Sequence, residues 1–307
     1  MGTTYSEFQT TGANLLADIR TAILASTDWS RPNAAGQPNL LKATTTRGAD
    51  MIVDLNDAAP NASRLQFAAY RQHDGTTGVD KNVRVLRTRS NGTFTTNAYR
   101  CIVSAGKEHL FISVEGPRAG EAGADHVSGG SLRGYIFLSD VAPYYTGADD
   151  TQPCVAFGGG ASSDSIPGWY SGSLNVNISR NRGNTESWTL ARLAVLDMPQ
   201  SPLSSGTWAI QRIAKNGEVL LSPYVVFEDA DGPRGRLAAF HFAGWNWTDV
   251  PDNTTLASGS THTVNGVKYK VIPVSKGTQN EMSYGAMGFV NNQNNSMRSP
   301  LVAVPVT

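Results

Sequence analysis

Residues 99–117 read YRCIVSAGKEHLFISVEGP, residues 134–145 read GYIFLSDVAPYY, and residues 153–160 read PCVAFGGG. Three short apolar runs, Tyr99–Val103, His109–Glu115 and Tyr135–Val141, stand between turn signals. Ser104-Ala105-Gly106-Lys107 reads as a compact hairpin connection containing glycine. His109, Phe111, Ser113 and Glu115 alternate with Leu110, Ile112 and Val114, the period of a strand with one apolar face. Gly129-Gly130 precedes the third run and Pro143 stops it. The stretch predicts the central meander of a β-rich domain.

The same texture continues on both sides. Upstream, Leu40–Thr46, Met51–Asp54 and Leu65–Tyr70 read as strands, with turns at Arg47-Gly48 and from His73 to Gly78. Val83 to Leu86 begins another strand, which Ser90-Asn91-Gly92 turns into Thr93–Thr96. Downstream, Leu174–Ile178, Ser187–Leu196 and Gly235–Phe242 follow. Trp208–Ala214 and Glu218–Phe227 read as a hairpin across Asn216-Gly217, and Thr263-Val264 as a strand turned by Asn265-Gly266 into Val267–Val274. Dense turn chemistry at this spacing predicts a mainly β fold, an antiparallel sandwich or barrel. The Asn-rich stretch after Phe289 and the closing VAVPVT predict a tail, as an edge strand or an arm.

One helix is expected, from Ser6 to Ala25. Ser6 with Gln9 three residues on reads as a capping box, and Leu15, Ile19 and Ile23 form an apolar stripe. The stripe either covers the chain's own sheet or docks on another subunit; we expect the first. The expected organisation is a helix and arm over 1–38, a β-rich domain over 39–290, with two lobes dividing near 200 as one option, and a tail over 291–307.

At 307 residues the chain can bury a full core. It carries 25 basic and 25 acidic residues, so its formal net charge is zero and only 16% of it is charged. That argues against a nucleic-acid partner, which calls for a basic excess. It suits a surface covered by neighbours, or an extracellular β protein. No apolar run approaches the length of a membrane span. The first residues, MGTTYSEFQTTG, lack the basic-then-apolar order of a secretion signal. Cys101 and Cys154 lie inside apolar runs and read as buried thiols.

Signals for chemistry are sparse. His73, His109, His126, His241 and His262 show no metal-ligand spacing, and no nucleophile elbow is present. His109 and His241 read as strand-face residues. A Ser/His/Asp set assembled from distant positions stays open, because spacing does not reveal one. Glycines 158–160 lack the following helix of a phosphate loop and read as a flexible connection. Glu228 to Gly232 partly matches a calcium loop, but Phe240 stands where the closing carboxylate belongs, so a solvated turn is expected. No catalytic, metal-binding or cofactor-binding residue is assigned, and no cofactor is expected. The candidate contacts are aromatic: Tyr144, Tyr145, Trp169, Tyr170 and Trp245. Exposed rings stack on sugars or anchor partners, and Tyr144-Tyr145, after Pro143 at a strand end, are the pair best placed for exposure.

Several blocks of this sequence resemble virion proteins of tailed bacteriophages, of the tail- or baseplate-associated structural kind. The first is Thr4-Tyr5 leading into Leu15–Leu24, then Trp29. The second is Ala105–Val114, Gly134 to Leu138, Pro143-Tyr144, Pro153 and Gly158-Gly159. The third is Leu220 to Pro223, Gly235-Arg236-Leu237, Pro251, Val264–Tyr269 and Gly288-Phe289. Two departures stand out: Ser104 replaces the usual apolar residue before the middle hairpin, and the Gly-rich insert from Gly116 to Gly130 is longer. The resemblance implies a non-enzymatic structural subunit, assembled in the host cytoplasm into a virion, with copies of itself and other virion proteins as partners. The alternative is a receptor-facing adhesin that binds cell-surface glycan through the aromatics named above. A virion-borne hydrolase is a third reading, with no catalytic constellation behind it.

Overall fold

The computed structural model describes residues 2–56, 64–87, 98–115, 133–144, 154–159, 174–182, 185–195, 220–228, 232–244, 261–273 and 301–306. The fold is mainly β and antiparallel, with a single short helix among these residues. A first sheet pairs β2 (Leu40–Thr44), β3 (Asp50–Asn56), β4 (Arg64–His73) and β5 (Gly78–Arg87) in sequence order. The second begins with β1 (Thr4–Thr11), β6 (Ala98–Gly106), β7 (His109–Glu115), β8 (Arg133–Pro143) and β9 (Cys154–Gly159). It continues through β10 (Leu174–Arg182), β11 (Thr185–Val195), β12 (Leu220–Glu228) and β13 (Gly232–Gly244). It ends with β16 (Leu301–Val306), β15 (Val267–Pro273) and β14 (Thr261–Val264).

The second sheet also closes on itself. β13 returns to pair with the end of β8, Gly235 opposite Pro143 and Leu237 opposite Val141. Strands β8 to β13 therefore form a ring in which each is bonded to the next, which removes free edges along that part of the sheet. A side chain at Gly235 has no room: a Cβ there would lie 2.4 Å from the Ala142 carbonyl oxygen.

The main core lies between the sheets. Helix α1 (Leu15–Leu24) and the inner faces of β2, β3 and β4 pack on Tyr99, Cys101, Val103 and Ala105 of β6 and Leu110, Ile112 and Val114 of β7. Leu15, Ile19 and Ile23 are all buried in this cluster, so the stripe covers the chain's own sheet, as expected. Burying each such side chain contributes roughly 1.5–3 kcal/mol. Trp29 is buried beside them, and its indole N–H donates to the Gly106 carbonyl at 3.0 Å. Cys101 is a free, buried thiol, which burial and nearby Asp18 push up to about 12. The side chain of Cys154 lies outside the described residues.

Several expectations need correction. The helix begins at Leu15, and Ser6 and Gln9 belong to β1, where they face Val103 and Arg100 of β6. Pairing along eight residues outweighs a local capping pattern; Asn14 stands at the N-cap without a side-chain bond. The β6–β7 connection is Lys107-Glu108 alone, because Ser104, Ala105 and Gly106 continue the strand. β7 is buried on both faces, with His109 and Phe111 as enclosed as Leu110 and Ile112. Gly158 and Gly159 pair with Ile136 and Tyr135 within β9 instead of forming a loop. Glu228 and Gly232, expected in a solvated turn, are strand residues that face each other in β12 and β13. The closing strand is no edge or arm: β16 lies between β13 and β15, with Ala303 and Val304 fully buried. The Asn265-Gly266 turn is as expected, with φ of 51° and 78°. The expected strands at Thr93–Thr96 and Trp208–Ala214 fall outside the described residues.

Candidate functional site

The second face of β6 and β7 holds the least expected group. Ser104 and His109 lie on one face of the hairpin, both buried, with Ser104 Oγ 2.8 Å from His109 Nε2. The same Oγ donates to the backbone carbonyl of Pro305 in β16 at 2.6 Å. A hydroxyl has one proton and a carbonyl can only accept, so the histidine must be the donor to Ser104. The imidazole is then neutral with its proton on Nε2, and burial holds its pKa down to about 3. Its ring meets Phe240 of β13 edge-on at 5.5 Å, and Phe240 also touches Phe111 at 6.3 Å. A nucleophilic serine needs the opposite polarity, donating to a basic nitrogen. This pair instead ties β6 and β7 to β16.

Pro305 fits the same logic. Proline has no N–H and suits a sheet interior only where the neighbouring strand has stopped. β13 faces β16 only at Val302 and Ala303, and at Pro305 the Ser104 hydroxyl satisfies the carbonyl.

A second polar group joins the two sheets. The β2–β3 turn places Gly48 at φ 84° and projects Arg47, whose Nε donates to Asp140 of β8 at 2.9 Å. The Thr46 backbone N–H donates to Glu108 at 2.9 Å. Asp140 is buried and also accepts the Val141 N–H at 2.9 Å. Burial pushes its carboxyl above the ordinary range, and Arg47 only partly offsets this.

A third group clasps β1 to β15. Lys270 and the Tyr5 hydroxyl both donate to Glu7, and the Lys270 ammonium stands 5.3 Å from the centre of the Tyr5 ring. Burial alone would raise Glu7, but the bonds from Lys270 and Tyr5 prevail and hold it below its ordinary value. Burial, then the Glu7 bond, drives Tyr5 strongly upward.

Among the aromatic candidates, Tyr144 is described and exposed, at 43% of its surface. It sits where β8 meets β13, its N–H bonded to the Arg234 carbonyl at 2.9 Å, and exposed Arg236 faces Ala142, two register positions away. Tyr and Arg are the residue types that concentrate binding energy at interfaces. Tyr145, Trp169, Tyr170 and Trp245 lie outside the described residues, so no grouping of the five is stated. Neither the models of known protein families nor the curated proteins match this chain.

Sequence reading missed the Ser104–His109 pair because it began the hairpin connection at Ser104, three residues before the actual turn. With the turn at Lys107-Glu108, Gly106 faces His109 and Ser104 faces Phe111, which puts Ser104 and His109 on one face. The usable signal was a serine and a histidine flanking a turn inside otherwise apolar strands.

Proposed function

We propose that the chain is a structural subunit of a bacteriophage tail, baseplate or related tail-like particle. It acts by protein–protein assembly, with copies of itself and with other virion proteins. The observation that supports this most is the use made of the buried polar groups. Buried Ser104, backed by His109, and buried Asp140, held by the exposed Arg47, bind strands far apart in the chain to one another, as a load-carrying scaffold requires. The block-by-block resemblance to phage virion proteins, and a zero net charge with low charge density, agree with burial among neighbours. Exposed Tyr144, with exposed Arg236 two register positions away, is the contact we assign to a neighbour.

Negative-stain microscopy of purified particles carrying a tagged copy tests this reading. The tag should appear at a fixed, symmetric position. A protein never recovered with particles would overturn it. The exposure of Tyr144 also supports the adhesin reading, in which that ring stacks on surface glycan. Binding of the isolated protein to a glycan array, lost in Tyr144→Ala, would favour it over the scaffold.

A further inference from the structure

β16 is an unusual strand. It completes the sheet between β13 and β15, facing β15 at six register positions, from Lys268–Val306 to Pro273–Leu301, and β13 at two. Its sequence LVAVPV has no charged residue, and Ala303 and Val304 are fully buried. Without it, β13 and β15 would present open edges, and the Ser104 hydroxyl would lose the carbonyl it bonds. The slot is therefore specific. It needs small apolar residues where Ala303 and Val304 lie and a carbonyl at Pro305, and this chain's own β16 supplies both.

Its connection is out of proportion to its place. Pro273 and Leu301 face each other across the sheet, a junction that two to five residues could make. Yet residues 274–300, 27 in all, separate them. Fully extended, that length reaches roughly 90 Å, against a radius of gyration of about 20 Å for a compact chain of this size. A connection of that reach lets β16 fill its own slot or that of a neighbour in the same register.

We propose that β16 is an exchanged strand: in the assembled protein it fills the slot between β13 and β15 of a second copy of this chain. This rests on the self-assembly reading above and names the element that carries it. Each subunit receives an identical strand, so every contact of the single chain is kept. The gain is a junction that cannot part without opening two sheets.

The test places cysteines at one register pair of the full chain, Lys268→Cys with Val306→Cys. Facing residues on antiparallel strands come close enough for a disulfide. Light scattering after size exclusion first shows whether the oxidised protein self-associates. A non-reducing denaturing gel then shows which chains are joined. Exchange predicts covalent dimers or a ladder from the oligomer peak. It also predicts that copies carrying Lys268→Cys alone and Val306→Cys alone, denatured and refolded together, give a covalent heterodimer. An oligomer whose disulfides all lie within single chains overturns the exchange and leaves the assembly reading standing. A monomer at every concentration overturns the exchange, while the assembly reading is decided separately by recovery with particles. A folded oligomer in which the two thiols never join contradicts the register and overturns the exchange as well.

Discussion

Ser104 donates its hydroxyl proton to the carbonyl of Pro305, a residue 201 positions further along the chain. Because His109 stands behind it as donor, one substitution should open two bonds at once. In Ser104→Ala a buried carbonyl and a buried imidazole N–H both lose a partner, a cost of about 2–4 kcal/mol. The expected result is a lower denaturation midpoint and faster amide exchange in 301–306 than in β7. Unchanged exchange at β16 would mean that the hydroxyl is not what holds it.

His109 makes the fold sensitive to acid. Its folded pKa, about 3, lies below the 6.5 of the unfolded chain, so between these values the unfolded state binds the extra proton. Stability is fully present above about pH 6.5 and falls as pH drops, with a slope approaching 1.4 kcal/mol per pH unit from this residue. His109→Gln keeps a donor for Ser104 but cannot titrate. Urea denaturation from pH 7 to pH 4 should show a shallower loss in the variant. Equal slopes would remove His109 from the account.

The Arg47–Asp140 pair should respond asymmetrically. Asp140 is the buried partner and its carboxyl is held high, chiefly by burial, so its ionised form is the strained one. Removing Arg47 leaves that charge unpaired, and Arg47→Met should cost about 1–2 kcal/mol at neutral pH, less than for a fully buried pair because solvent reaches Arg47 and screens the interaction. The sign with pH is opposite to that of His109. An acid whose folded pKa is raised adds stability on the acid side and loses it as pH climbs from 3.8 through the folded value. Asp140→Asn should change stability by less than about 1 kcal/mol and should rescue Arg47→Met in the double variant. A double variant as unstable as Arg47→Met alone would show that the cost comes from lost packing, not from the stranded carboxylate.

Tyr144 should separate stability from association. With 43% of its surface exposed, Tyr144→Ala should alter the unfolding free energy by no more than about 0.5 kcal/mol. The same substitution should weaken incorporation into particles, measured as the ratio of variant to wild-type protein in co-expressed, purified particles. A ratio equal to that of expression would release Tyr144 from any contact.

The features that could be read from the chain were those decided over a few residues. The Asn265-Gly266 hairpin was legible because both positions need positive φ, which that dipeptide tolerates better than any other common pair. The Leu15, Ile19 and Ile23 stripe was legible because period alone puts the three on one face. The exposure of Tyr144 followed from its place after Pro143 at the end of β8. Ser6 and Gln9 misled because their spacing suits a helix cap, while the partner that makes them a strand, β6, lies more than 90 residues away.

Local sequence thus determined the class of fold, most of its strands and the burial of its helix, since propensity and period act between near neighbours. Only the tertiary structure decided that strands β8 to β13 close into a ring and that β16 is an interior strand. Only there does Ser104, which looked like an apolar position gone polar, become the bond to Pro305. Each of these depends on a pairing between segments far apart in the chain. Such a pairing is set by which distant edge and which unpaired polar group remain to be satisfied, and no short window of sequence contains both partners.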